Sequence, residues 1–170
     1  MHGLLADQLE IKMLEKINEW MGFIQLPRTE LGGFPICPYA TKAISQKSYE
    51  ISTISFNDVH DVLSNVDIIK NSVTIFVVHD YEQYDIEYLS NFTVNLNTQY
   101  KSKDFAILDN DPRVPFSING VNTAFEHSYL WLIQSLSDLN KKSLDLHKTN
   151  YYSYWTKDQL DEVVNWRKLE

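Results

Sequence analysis

The chain has a single cysteine, Cys37, among its 170 residues, so no disulfide can form within it. A lone thiol suits a reducing compartment, and the cytoplasm is the expected location. Long apolar runs are also missing, and nothing approaches the roughly 18 residues that a membrane span needs. Met1-His2-Gly3-Leu4-Leu5 lacks the basic stretch and apolar core of a signal peptide, so none is expected. The triplet Asn91-Phe92-Thr93 matches a glycosylation acceptor, but without a secretion signal it reads as chance. Positive charge is scarce: 15 Lys and Arg stand against 23 Asp and Glu, a net charge of −8. Phosphate backbones are bound by clustered Lys and Arg, which argues against a general nucleic-acid binder. There is no internal repeat, no low-complexity segment, and no metal motif of the H-E-x-x-H or C-x-x-C kind.

What is present suits one α/β domain spanning residues 1–170, with 44% hydrophobic residues to build its core. Its most telling stretch is Ser72-Val73-Thr74-Ile75-Phe76-Val77-Val78-His79-Asp80. As a strand it sends Val73, Ile75 and Val77 to one face and Phe76 and Val78 to the other. A strand apolar on both faces must be covered on both, so it is read as the middle of the sheet. Residues 49–56, alternating imperfectly, read as an edge strand, and residues 105–108 as a third strand. Between them lie two helical patterns. Asn57 or Asp58 is expected to cap the first, which runs to Lys70 with Val59, Val62, Leu63 and Val66 inward. Asp85 caps the second, which runs to about Tyr100 on Ile86, Leu89, Phe92 or Thr93, and Leu96. This is a parallel β-α-β-α-β core in strand order 1-2-3, with both crossover helices on one face.

The flanks supply the remaining cover. Residues 4–25 are an amphipathic helix with Met13, Ile17, Trp20 and Ile24 on one side. Pro27, Gly32, Gly33, Pro35 and Pro38 then shape a loop, and a short helix follows it. In residues 116–123, Asn119-Gly120 between β-type residues predicts an inserted hairpin with a type I′ turn. Leu132, Leu136, Leu139 and Leu146 predict a helix over residues 128–148; a short strand at 129–133 is the competing reading. Tyr151 to Trp155 form an aromatic cluster, read as packing or as a stacking surface for a ring-bearing ligand. Thr156 caps a last helix through Lys168.

Parallel strands bring their carboxyl ends to one edge, where open α/β sheets bind ligands. That edge would gather His79, Asp109 and Arg113, with Asp111 and His127 at the rim. A histidine oriented by a carboxylate can act as a base near neutral pH. Imidazole with carboxylates can also hold a metal ion, and an arginine can grip an anion with two bonds. Equally, Asp80 and Asp85 can be caps, Asp109 and Asp111 can form turns, and Arg113 can pair with one of them. Cys37, placed at a helix start, is either a thiol activated by the helix dipole or a buried small hydrophobe.

Trp20 in the first helix, Ile36-Cys37-Pro38-Tyr39-Ala40, and a strand ending in His79 together resemble a family of small bacterial proteins. That family carries a Leu-Cys-Pro-Phe-Ala turn and a strand ending in His-Pro; here Asp80 follows His79, and Gly32-Gly33 lengthen the gap. The resemblance covers about the first half of the chain and implies no activity, but it links Cys37 with His79. Three functions follow as expectations. One is a small enzyme acting on a small anionic or polar molecule at His79, Asp109, Arg113 and Cys37, with or without a metal. Another is a non-catalytic binding or accessory protein. The third is a metal- or redox-handling protein centred on Cys37 and His79. No cofactor is named by any motif.

Overall fold

The computed structural model describes residues 2–65 and 71–168. Four strands form a mixed sheet: β1 (Tyr49–Ile54), β2 (Val73–Val78), β3 (Phe105–Asn110) and, after the two-residue hairpin strands β4 (Ser117–Ile118) and β5 (Val121–Asn122), β6 (Tyr129–Ser135). The order across the sheet is β1-β2-β6-β3. β1 and β2 are parallel, while β6 runs antiparallel to both β2 and β3. The expected order 1-2-3 is therefore corrected: β6 enters between the second and third strands. β2 is interior, as its two apolar faces require, with Phe76 and Val78 buried on one side and Ile75 and Val77 on the other.

The same rule explains β6. Tyr129, Trp131 and Ile133 face one way, Leu130 and Leu132 the other, and all but Leu132 are buried. Such a strand must be covered on both faces. β3, also apolar on both faces over Phe105–Leu108, is at the edge and turns polar at Asp109 and Asn110. The helix expected over residues 128–148 is thus a strand followed by α5 (Leu136–His147), and the competing strand reading was the better one. The leucine stripe runs across that boundary without marking it. Ser135 marks it instead, its hydroxyl accepting from the Asp138 amide at 3.2 Å as the cap of α5.

Helices cover both faces. α3 (Val59–Ser64) and α4 (Ile86–Tyr100) contribute Val59, Leu63, Leu89 and Leu96 to the core around Phe76 and Trp131. Both crossover helices are on one face, as expected. Asp85 caps α4, accepting from the Tyr88 amide at 2.6 Å. Ile86, expected inside, is exposed. Asp58 stands at the start of α3 without a side-chain cap bond, and the expected continuation to Lys70, Val66 included, lies outside the described residues. The long first helix, α1 (His2–Ile24), covers the opposite face with Ile17 and Met21.

A smaller cluster ties the loops to this frame. Ile118 and Val121 pack on Leu31 with Trp155 beside them, and Asn119 and Gly120 both take positive φ (46° and 81°), as a type I′ turn requires. Trp20 of α1 donates to the Thr123 carbonyl at 3.0 Å, clamping the hairpin to the helix. Gly32 is needed where it is: its φ is 65°, and a Cβ there would meet the Tyr154 hydroxyl at 2.6 Å and its ring at 2.8 Å. The aromatic cluster is packing. Tyr151 is buried, meets Tyr152 and Phe34 edge-on, and its hydroxyl donates to the Ile36 carbonyl. Thr156 caps α6 (Lys157–Val163) in a reciprocal box with Gln159. That last helix stops at Val163 and gives way to a separate turn at Asn165–Arg167.

An edge strand offers unpaired amides and carbonyls to any passing strand. On β3 that edge is occupied by an α4 side chain: Asn97 Nδ2 donates to the Ile107 carbonyl at 2.7 Å, and its Oδ1 accepts from the Ile107 amide at 2.8 Å. One carboxamide thus mimics a neighbouring strand. Asn97→Ala should cost about 1–3 kcal/mol, the price of two buried backbone groups left unpaired, and should raise the tendency to self-associate. Denaturant melts with light scattering check this. A neutral change in both would contradict the role given to Asn97.

Candidate functional site at the carboxyl edge of the sheet

β1, β2 and β3 point the same way, since β6 is antiparallel to both β2 and β3. Their carboxyl ends and the start of β6 therefore share one edge, although β6 separates β2 from β3. Val78 pairs with Tyr129 and Asn110 with Leu130, so His79 leaves the sheet beside Ser128 while β3 passes into Asp111 and Arg113.

Asp109 alternates with Phe105 and Ile107 and so faces α4. There it accepts from the Tyr129 hydroxyl at 2.9 Å. That hydroxyl lies 3.2 Å from Thr93 Oγ1, which also accepts from Trp131 Nε1 at 2.9 Å and lies 3.1 Å from the Leu89 carbonyl. The result is a buried polar chain running from an indole through a threonine and a tyrosine to a carboxyl. Asp109 keeps one side open, but its carboxyl is crowded by protein. That desolvation, with some repulsion from Asp111, pushes its pKa above the usual carboxylate value against the lowering effect of Tyr129. Burial and the Asp109 charge raise the Tyr129 pKa as well, so its hydroxyl stays a donor.

Asp111 and Arg113 are joined twice over. Nη2 meets Oδ2 at 2.7 Å, while Nε and the backbone amide of Arg113 meet Oδ1, both at 2.9 Å. Nη1 donates to the Tyr84 carbonyl at 3.0 Å, and the guanidinium stands 5.4 Å from the Tyr81 ring. Three of the five N–H donors of the Arg113 guanidinium are thus engaged within the protein.

The other expected members stand apart. His79 is exposed and makes no side-chain hydrogen bond to Asp109, Asp111 or Arg113; its amide donates to the Ile54 carbonyl at 3.2 Å. Asp80 is a cap: it accepts from Ser55 Oγ at 2.6 Å and from the Phe56 amide at 2.7 Å. Partial burial pushes its pKa up, but these bonds outweigh it and the carboxylate titrates below its usual range. His127 is exposed and packs its ring edge-on to Phe125. Cys37 precedes α2 (Ala40–Ser45) rather than starting it, and its amide is tied to the Ile24 carbonyl at 2.9 Å. Burial pushes the thiol pKa up, outweighing the backbone amides of Tyr39 and Ala40 and the Lys142 charge. Of the two readings of Cys37, desolvation disfavours the thiol activated by a helix dipole.

Among the described residues no group of three or more His, Cys, Asp or Glu is placed to hold a metal ion, and no helix is long and apolar enough to cross a membrane. Two residues organise the edge, Asn110, which the sequence did not single out, and Thr93, which it offered only as an inward helix position. Asn110 clasps the Phe125 amide at 2.9 Å and carbonyl at 2.8 Å, fixing the approach to β6, and Thr93 centres the buried chain. A polar residue two places from the end of an apolar run was the only signal for Asn110. No family model, curated protein or solved structure matches the chain.

Ionising Asp109 is disfavoured by folding, so wild-type stability falls as pH rises through the ordinary carboxylate pKa of about 3.9 towards the raised folded value, and the loss persists above it. Asn at this position still accepts from Tyr129 and carries no charge. Asp109→Asn should therefore be at least as stable as wild type at pH 7, with its advantage shrinking below about pH 4. Thermal melts across pH test this. A variant weaker at pH 7 than at pH 3 would mean that the ionised carboxylate stabilises the fold.

Proposed function

We propose that the protein is a non-catalytic binding or accessory protein that docks a partner protein on the outer face of α4. The observation that carries this reading is the absence of charge along that exposed helix after Glu87 in its first turn. From Tyr88 to Tyr100 there is no Asp, Glu, Lys or Arg, in a chain that is 22% charged overall. Ser90, Asn91, Asn95, Thr98 and Gln99 face solvent, with Tyr88 47% and Val94 60% exposed. A solvated helix face ordinarily carries charges, whereas the centres of protein interfaces lack them and favour tyrosine. Tyr88 stacks between Tyr84 (5.6 Å) and Phe92 (6.2 Å), so its ring is held in place before any partner arrives.

The internal pairing at the carboxyl edge supports the non-catalytic part. Asp80, Asp85, Asp111 and Arg113 serve caps and turns, and Asp109 is bound to Tyr129. His79 makes no side-chain hydrogen bond to any of these groups, so none of them orients its imidazole.

A photo-crosslinking residue placed at Val94, and separately at Leu144 on α5 (62% exposed), tests this in extracts of the source cells. The position 94 probe should yield one adduct of defined mass that is lost with Asn91→Arg, and the position 144 probe should not. A second copy of this chain in the adduct would make the partner the protein itself. The same diffuse pattern at both positions would contradict the proposal.

A further inference from the structure

Arg167 is the only charged residue that is buried as a whole among the described residues, at 2% exposure. Its Nε donates to the Val163 carbonyl at 2.9 Å and its Nη2 to Ser143 Oγ at 3.0 Å, while Nη1 has no partner among the described residues. The ion pairs of the described residues involve Lys16, Arg113, Lys142, Lys148 and Lys157, and none reaches Arg167. An arginine cannot shed its proton to escape burial, and a buried charge is ordinarily paired. Among the described residues this one has no anion.

A cavity of about 210 Å³ lies beside it, between α5 and the C-terminal turn, lined by Asn140, Ser143, Leu144, His147, Val164 and Lys168. Ser143 belongs to both features. Its hydroxyl accepts from Arg167, its own proton has no acceptor among the described residues, and the residue is 7% exposed yet lines the cavity. A hydroxyl that accepts from a guanidinium is a strengthened donor. Lys168 and His147 add two basic groups, and among the described residues no acidic one lines the cavity. Asp161, which feels the Lys168 charge, is already held by Lys157 at 2.6 Å and Asn165 at 2.5 Å. Leu144 and Val164 supply hydrocarbon wall. In a chain of net charge −8, this is a local positive site with an apolar side.

We propose that this cavity binds a small organic carboxylate. The carboxylate accepts the Ser143 hydroxyl proton under the charge of Arg167, with Lys168 and His147 at the rim, and the hydrocarbon body lies against Leu144 and Val164. At about 30 Å³ per water the space holds roughly seven waters, which suits a ligand of about six to nine non-hydrogen atoms. This site is separate from the α4 face, and either can fail without the other.

Hexanoate is the probe, titrated into the full chain while amide and arginine Nε resonances are followed by NMR. Saturable shifts should appear at Ser143, Leu144, Val164 and Arg167 at up to about 10 mM ligand, weaker than the millimolar benchmark at most by a small factor. Hexanamide, the uncharged analogue, should bind at least about tenfold more weakly, as loss of a charged hydrogen-bond partner implies. Inorganic phosphate should also bind more weakly, since it has no apolar body. Arg167→Met should abolish binding. Should that variant not fold, Ser143→Ala should weaken binding about tenfold, and Leu144→Trp, at an exposed position, should block the cavity. No saturable shift, equal binding of hexanamide, or phosphate binding as well as hexanoate would each overturn the proposal, as would full binding by Leu144→Trp.

Discussion

Strands apolar on both faces have to be covered on both, and that constraint governs this structure. β2 and β6 carry it along most of their length and form the inner pair of four. β1, half-exposed along its length, takes one edge, and β3, which ends in Asp109 and Asn110, takes the other. Covers on both faces follow: α3 and α4 on one, α1 on the other. The open edge of β3 then needs a partner for its backbone, which the carboxamide of Asn97 supplies.

Burying β6 brings polar atoms into the core. Trp131 and Tyr129 are fully buried, and each has a hydrogen to place. Thr93 receives the indole proton and stands beside the phenol, which reaches out to Asp109. A single hydroxyl on α4 thereby fixes the helix to two neighbouring residues of one face of β6. The carboxyl at the end of this chain is the least comfortable member, because protein crowds its charged form. Its place at the sheet edge is explained by the phenol it accepts from, without any substrate.

Much of the fold was legible because single elements obeyed local rules. The double-faced pattern of Val73–Val78 marked an interior strand, Asp85 and Thr156 announced helix starts, and Asn119-Gly120 announced its turn. What was hidden depended on partners distant in sequence. Leu132 and Leu136 fit one helical stripe although a strand ends between them, and only the demand that Trp131 be covered on both faces separates the two readings. Without β6 in the middle, the third strand was set beside the second and the polar ends were gathered more tightly than they are. At the candidate site the sequence left two readings open, a ligand ledge or a set of caps, turns and an internal ion pair, and the caps and the pair are what the geometry shows. Asp111 and Arg113 are two apart in sequence and consume one another, and Cys37 sits ahead of a helix only six residues long, where desolvation decides its pKa.

The interior position of β6 is tested most directly by native-state hydrogen exchange. The amides of Tyr129 to Ile133 should exchange only by global unfolding, with an opening free energy equal to that from denaturant melts and matching Thr74 to Val78. Those of β1 should open at lower cost. Exchange of Leu130 and Leu132 as fast as that of β1 would contradict the placement of β6 between β2 and β3.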